Sequence, residues 1–174
     1  LGNHDYYNSD IVNIIDFFKQ NSGYNLLNYD NSIKIGEYTF VGGTLFTNFR
    51  SNRLLYDDPL QYTVNKQVAR HGIYDFLTVQ YRNRTVLPDD YVTLFNMYYN
   101  NIMKYKKENK VVVVTHFPPH LACLDPYWGV HPTGKQLNPY FINDLDVKGF
   151  KLWISGHTHT AVDTTVDGCR LIVN

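Results

Sequence analysis

Three short stretches of this sequence carry side chains suited to holding metal ions: Asn3, His4 and Asp5 in Gly2-Asn3-His4-Asp5, His116 behind a valine run, and His157 and His159 in Gly156-His157-Thr158-His159. An amide oxygen, several imidazoles and a carboxylate form a donor set that suits Mn, Fe, Zn, Co or Ni more than a soft-metal thiolate site. His157 and His159 stand two residues apart in this stretch. A turn beginning at Gly156 lets both rings converge, and a pair of ions about 3.5 to 4 Å apart needs ligands from several such loops. Each stretch also has an ordinary reading. G-H-T-H fits a polar turn with solvated histidines, His116 a hydrogen-bonded structural residue at a strand end, and G-N-H-D an Asn/Asp-rich turn.

The elements that must position these residues can be read from periodicity. Ser9 or Asp10 caps a helix in which Ile11, Ile14, Ile15 and Phe18 share one face, with Gly23 as its stop. Strand-like runs follow at 24–27, 32–35 and 38–46, and the pair Gly42-Gly43 marks a bulge or a close backbone approach. From 47 to 88 the signal is weak, with one candidate helix around 59–70. Pro88-Asp89-Asp90 opens a long amphipathic helix that turns Leu94, Met97, Tyr98, Ile102 and Tyr105 inward and places Lys104, Lys106 and Lys107 in its last turns. The run 111–114 is β-branched throughout, as expected of a strand covered on both faces, and it delivers His116. A long Pro- and Gly-containing loop at 117–135 and a short helix near 139–145 precede the next buried strand, 151–154, which delivers His157. Residues 161–166 and 169–173, joined by Asp167-Gly168, read as a hairpin with a type I′ turn. The alternation of buried strands and amphipathic helices indicates an α/β domain.

The chain has 174 residues, 44% of them hydrophobic, enough for one domain with a sizeable core. Sixteen basic and sixteen acidic residues leave no net charge, so the broad electrostatic footprint of a nucleic-acid binder is missing. No apolar run approaches the roughly 18 residues of a membrane span. Cys123 and Cys169 form no CxxC pattern and suit a reducing interior, which makes the cytoplasm the default location.

In their order along the chain, the three stretches resemble the last three signature elements of the calcineurin-like metallophosphoesterase superfamily: D-x-H, G-D-x-x-D, G-N-H-D/E, a strand-end His, then G-H-x-H. Residues 43–49, G-T-L-F-T-N-F, are similar to a G-T-L-W-T-D-F stretch of a bacterial and phage branch, so the resemblance spans nearly the whole chain. It implies a four-layer α-β-β-α sandwich with metals at the strand ends. The first two elements would precede Leu1, which makes residues 1–174 a single domain whose N-terminal strands are absent from this chain. The resemblance further implies two divalent ions in the intact protein, manganese favoured. Asn3, His116 and His157 would bind one ion and His159 the other. His4 would sit beside the substrate phosphate as transition-state stabiliser or acid, with Asp5 orienting its ring. A metal-bridging hydroxide would attack phosphorus in line. The absent elements would supply the remaining ligands of the first ion and the bridging Asp, so the isolated polypeptide is expected to show little or no turnover.

The implied activity is hydrolysis of a phosphomonoester or phosphodiester. Neutral charge favours a small-molecule or nucleotide substrate over long nucleic acid. A nuclease of the same superfamily is the closest alternative, and a non-catalytic binding module with an incomplete metal site is the alternative of another class. In the loop after His116, His120, His131 and Lys135 accompany Tyr127 and Trp128, read as anchors of the loop to the core, with stacking of a base or sugar as the other reading. His71 has no identifiable partner. The cluster from Lys104 to Lys110 reads as a solvated helix end, and Cys123 lacks the surrounding pattern of a nucleophile.

Overall fold

Valine at four successive positions, 111 to 114, favours a strand buried on both faces, and this run forms the middle of the molecule's main sheet. The computed structural model describes residues 1–21, 23, 25–50 and 58–174. Its strands are β1 (Ile33–Ile35), β2 (Tyr38–Gly43), β3 (Gln80–Tyr81), β4 (Arg84–Thr85), β5 (Val111–Thr115), β6 (Leu152–Ser155), β7 (Val162–Val166) and β8 (Cys169–Val173). Six of them form one mixed sheet in the order β1-β2-β5-β6-β8-β7, while β3 and β4 form a separate ribbon. The inner strands β2, β5, β6 and β8 run parallel, and the edge strands β1 and β7 pair antiparallel. The carboxyl ends of the parallel strands therefore share one edge of the sheet, the edge at which open α/β sheets bind ligands.

The ladder continues past that edge. His116 N–H donates to the Gly43 carbonyl at 3.0 Å, and Gly156 N–H donates to the His116 carbonyl at 3.0 Å. Three loops are thereby locked in register just where the sequence places its candidate ligands. Thr115 Oγ1 donates to the Phe117 carbonyl at 2.7 Å and accepts the Trp153 indole N–H at 2.9 Å, which fixes the turn after β5 and satisfies a fully buried indole.

The helices are α1 (Ile11–Gln20), α2 (Pro59–Gly72), α3 (Asp75–Thr78), α4 (Pro88–Lys104), α5 (Pro126–Val130) and α6 (Pro132–Phe141). Asp10 caps α1 by accepting Val12 N–H at 2.8 Å, and Ile11 and Ile15 are buried. The helix stops at Gln20 rather than Gly23, with the Asn21 amide donating to the Phe17 carbonyl at 2.6 Å. In α4, Leu94, Tyr98 and Ile102 are buried while Met97 and Tyr105 pack half-buried on the core. Arg84 grips Asp90 in its first turn with two bonds of 2.7 and 2.8 Å.

Further expectations are corrected. β2 ends at Gly43, because Leu45, Phe46 and Phe49 take positive φ of 69°, 60° and 57° and leave the extended conformation. Residues 25–27 form no strand, and Tyr24 lies outside the described residues. The segment 117–135 carries two helices, and the helix expected near 139–145 runs instead over Pro132–Phe141. Prolines 126 and 132 each stand in the first turn of a helix, where the missing N–H is no loss, so residues read as breakers act as starters. The hairpin of β7 and β8 turns at Asp167 and Gly168 with φ of 50° and 80°, as a type I′ turn requires. Among the described residues no helix is long and apolar enough to cross a membrane.

Gly42 shows why glycine precedes the site. Its φ is 136°, and a Cβ there would lie 1.9 Å from the Val114 carbonyl oxygen, so β2 approaches β5 too closely for any side chain. Gly42→Ala is expected to cost more than about 2 kcal/mol in urea unfolding. Gly168→Asn, in a turn that tolerates Asn, should stay within about 0.5 kcal/mol of the parent. A Gly42→Ala variant as stable as the parent would contradict the β2–β5 register.

Candidate metal centre

The loops after β5 and β6, together with the 3₁₀ turn Asn3–Tyr6, meet at the sheet edge around a cleft of about 460 Å³. All six residues singled out from the sequence, Asn3, His4, Asp5, His116, His157 and His159, line it. Three of them touch. His116 Nε2 lies 2.9 Å from Asn3 Oδ1 and 3.1 Å from His157 Nδ1. Gly2 makes room for this contact, since a Cβ there would come within 2.9 Å of the His116 ring.

The amide of Asn3 is fixed from behind. Its Nδ2 donates to both oxygens of Asp75, at 3.0 and 3.1 Å, and reaches Tyr140 Oη at 3.2 Å, so Oδ1 must face His116. Asp75 is 1% exposed and also accepts from the hydroxyls of Tyr7 (2.9 Å), Tyr91 (2.7 Å) and Tyr140 (2.5 Å). Burial, reinforced by the Asp75 charge, pushes all three phenols up, which keeps them protonated as donors. No local pattern in the sequence marks Asp75. It lies in the weak-signal region, and its partners at positions 3, 7, 91 and 140 come together only in the fold.

His157 sits among Phe117, Phe141 and Tyr140, with ring centroids 4.0, 5.2 and 5.5 Å away. Desolvation holds its pKa well below the usual histidine value, and desolvation lowers that of His116 to about 4. Both rings are therefore neutral near pH 7. Because Asn3 Oδ1 can only accept, His116 Nε2 carries the single proton of the trio and His157 Nδ1 presents a lone pair. The proton of His157 is then on Nε2, which is buried without a hydrogen-bond partner.

This arrangement fits a divalent cation. Donors about 2.0 to 2.1 Å from an ion and at right angles to one another lie about 3 Å apart, close to the 2.9 and 3.1 Å seen here. A cation at the convergence point would take the place of the shared proton. Among the described residues no three His, Cys, Asp or Glu side chains gather as a metal centre, and the trio depends on the Asn3 amide as its third donor.

The other candidates stand at the rim. His159 is exposed, and both it and His157 have positive φ, 54° and 71°, in a turn closed by Thr158 N–H donating to the Gly156 carbonyl. This left-handed turn puts both rings on the cleft. His4 is exposed and packs on Tyr7, with ring centroids 4.5 Å apart. Asp5 Oδ2 accepts Gly2 N–H at 2.8 Å and so closes the 3₁₀ turn. His120 accepts Ala122 N–H at 3.1 Å, and His71 is exposed with Nδ1 2.8 Å from the Gln67 carbonyl, so neither joins the cleft. Lys106 pairs with Asp146 at 3.0 Å, consistent with a solvated helix end. Cys123 and Cys169 are buried free thiols, and burial pushes Cys123 up to about 12 and Cys169 to about 11. Tyr127 and Trp128 are 57% and 44% exposed and do not anchor their loop in the core.

Removing the Asp75 carboxylate strands the Asn3 amide and two buried hydroxyls, so Asp75→Ala is expected to destabilise the chain by at least about 3 kcal/mol in urea unfolding. Equal stability of variant and parent would show that the cluster is not formed. In the metal-free chain the two depressed histidines bind fewer protons folded than unfolded, where the value is about 6.5. Stability should therefore fall as pH falls from about 6.5 towards 4, and His157→Phe should flatten that slope. An unchanged slope would place His157 in solvent.

The family described as calcineurin-like phosphoesterase matches residues 1–161. No curated protein sequence matches the chain. Among solved structures it is similar to the crystal structure of phosphopantetheinyl hydrolase from Mycobacterium tuberculosis, with a TM-score of 0.64 and 11% identity over 99% of this chain. The chain spans 66% of the length of that structure, and at this identity the likeness concerns the fold. The three motifs stand at one sheet edge in a metallophosphoesterase-type α/β fold, and with the match over residues 1–161 the chain belongs to the calcineurin-like phosphoesterase family.

Proposed function

We propose that this chain forms the metal-binding part of a phosphoester hydrolase in which Asn3, His116 and His157 hold a divalent ion. The observation that carries the reading is the convergence of Asn3 Oδ1, His116 Nε2 and His157 Nδ1 from three separate loops. Two imidazole nitrogens and one amide oxygen suit Mn, Fe, Zn, Co or Ni, and manganese is our choice for testing. When bound, the ion supplies Lewis-acid withdrawal of charge from the phosphate oxygens and an acidified water. His159, exposed on the same cleft, is the ligand this chain offers to a second ion.

The protein's own groups do the rest. The Asp75 cluster keeps the Asn3 oxygen aimed inward. The aromatic shell of His157 excludes water behind the ligands and raises the strength of every charge interaction in front of them. His4 packs on Tyr7 and lines the same cleft, which supports a role for it in donating a ring proton to the leaving oxygen of a phosphomonoester or phosphodiester. A net charge of zero favours a small phosphoester over a long nucleic acid.

Calorimetric titration with Mn²⁺ is expected to show binding that weakens at least tenfold in His116→Ala, and the intact protein should hydrolyse p-nitrophenyl phosphoesters only with the metal. Unchanged Mn²⁺ affinity in His116→Ala would sink the ligand assignment. Preferential cleavage of DNA over the small esters would transfer the reading to a nuclease.

A further inference from the structure

A second cavity, of about 300 Å³, opens beside the first and shares His157 and His159 with it. Its walls are Leu124, Trp128, Leu137 and Phe141, from the segment 124–141 that carries α5 and α6. Its polar groups are largely engaged within the protein. Asp125 Oδ1 accepts Tyr127 N–H at 2.7 Å, the Asn138 amide donates to the Trp128 carbonyl at 3.1 Å, and Thr158 Oγ1 contacts the Cys123 carbonyl at 3.4 Å. Among the described residues no Lys or Arg lines the cavity, and the Asp125 carboxylate repels an anion. A phosphate is thus disfavoured inside it, whereas an uncharged group joined to a phosphate at His157 and His159 would extend straight into it. At about 300 Å³ it lies at the small end of ligand sites, which are commonly 300 to 1,000 Å³.

Resting on the metal–phosphate reading above, we propose that this cavity is the subsite for the alcohol portion of the substrate and that it selects an aromatic or short apolar group. The indole of Trp128, 44% exposed, and the ring of Phe141 supply the faces on which such a group packs. Trp128 is itself steadied by edge contacts to Tyr127 and His131, with centroids 5.0 and 5.6 Å away. The binding energy gained on the leaving-group side would separate aryl or short alkyl esters from esters of highly polar alcohols, which leave their hydroxyls without partners.

The test compares two non-hydrolysable probes, phenylphosphonate and methylphosphonate, titrated calorimetrically into the intact chain with Mn²⁺. The phenyl probe is expected to bind at least about tenfold tighter, as a buried ring warrants. That ratio should fall towards one in Trp128→Ala and in Leu137→Trp, the first removing a wall and the second filling the space. Thermal unfolding of each variant identifies any that has failed to fold, and Trp128→Ala, at an exposed position, keeps the comparison available if Leu137→Trp does not fold. If both probes bind with a ratio near one, or if the ratio survives in folded Trp128→Ala, the subsite is overturned while the metal–phosphate reading stands. If neither probe binds in the presence of Mn²⁺, the metal–phosphate reading fails and this proposal falls with it.

Discussion

The side chain of Asn3 is held at both ends, its Nδ2 on the two oxygens of Asp75 and its Oδ1 against Nε2 of His116. A carboxylate that is 1% exposed is costly to bury, and here it is satisfied entirely by neutral donors: one amide and three phenols. That choice has an electrostatic consequence. An arginine in the same place would cancel the charge of Asp75, whereas tyrosines satisfy its hydrogen bonds and leave its field in place. A cation at Asn3 Oδ1 would be drawn by that field through a poorly screened interior. The same cluster fixes which atom of Asn3 points inward, and a carboxamide turned the other way would present two N–H groups to His116 and no donor to a metal.

Burial of the two imidazoles works in the same direction. Surrounded by Phe117, Tyr140 and Phe141, His157 is expensive to protonate, and burial of His116 itself imposes the same kind of penalty there. A proton is the main competitor of a metal ion for a histidine lone pair. Lowering both pKa values pushes that competition to acidic pH and leaves the lone pairs available near neutrality. The unpartnered Nε2 of His157 is the local cost of so dry an environment.

Much of this was legible in the sequence because the relevant signals are local. Four consecutive valines announce a strand, a glycine pair announces a close approach, and motif spacing puts ligands directly after strands. Asn3, His116 and His157 therefore stood out, and the structure brings them together. Asp75 did not stand out, since nothing about Tyr74-Asp75-Phe76 distinguishes it from a surface turn. With fifteen tyrosines in the chain, the three that donate to it cannot be chosen without the fold. The helices α5 and α6 were hidden for a different reason. Proline at a first helical position and proline in a loop look alike in sequence, and the Asp125 cap of α5 becomes visible only with the fold. Asp5 accepts Gly2 N–H and closes the 3₁₀ turn, a backbone contact that a four-residue motif does not announce.

The site thus divides into parts of different rigidity. Asn3 and His157 are buried, and His116 is tied by its own backbone into the ladder between Gly43 and Gly156, so this trio can shift only if the sheet edge shifts with it. His4 and His159 are exposed and held by few contacts. Left-handed backbone at His157 and His159 costs roughly 1 to 2 kcal/mol per residue, and the parallel strands supply the fixed frame that keeps the turn closed. The turn carries both rings onto the cleft, where the fixed frame of the strands holds them. Asn3, His116 and His157 are fixed by the sheet edge, while His4 and His159 stand exposed at the rim of the same cleft.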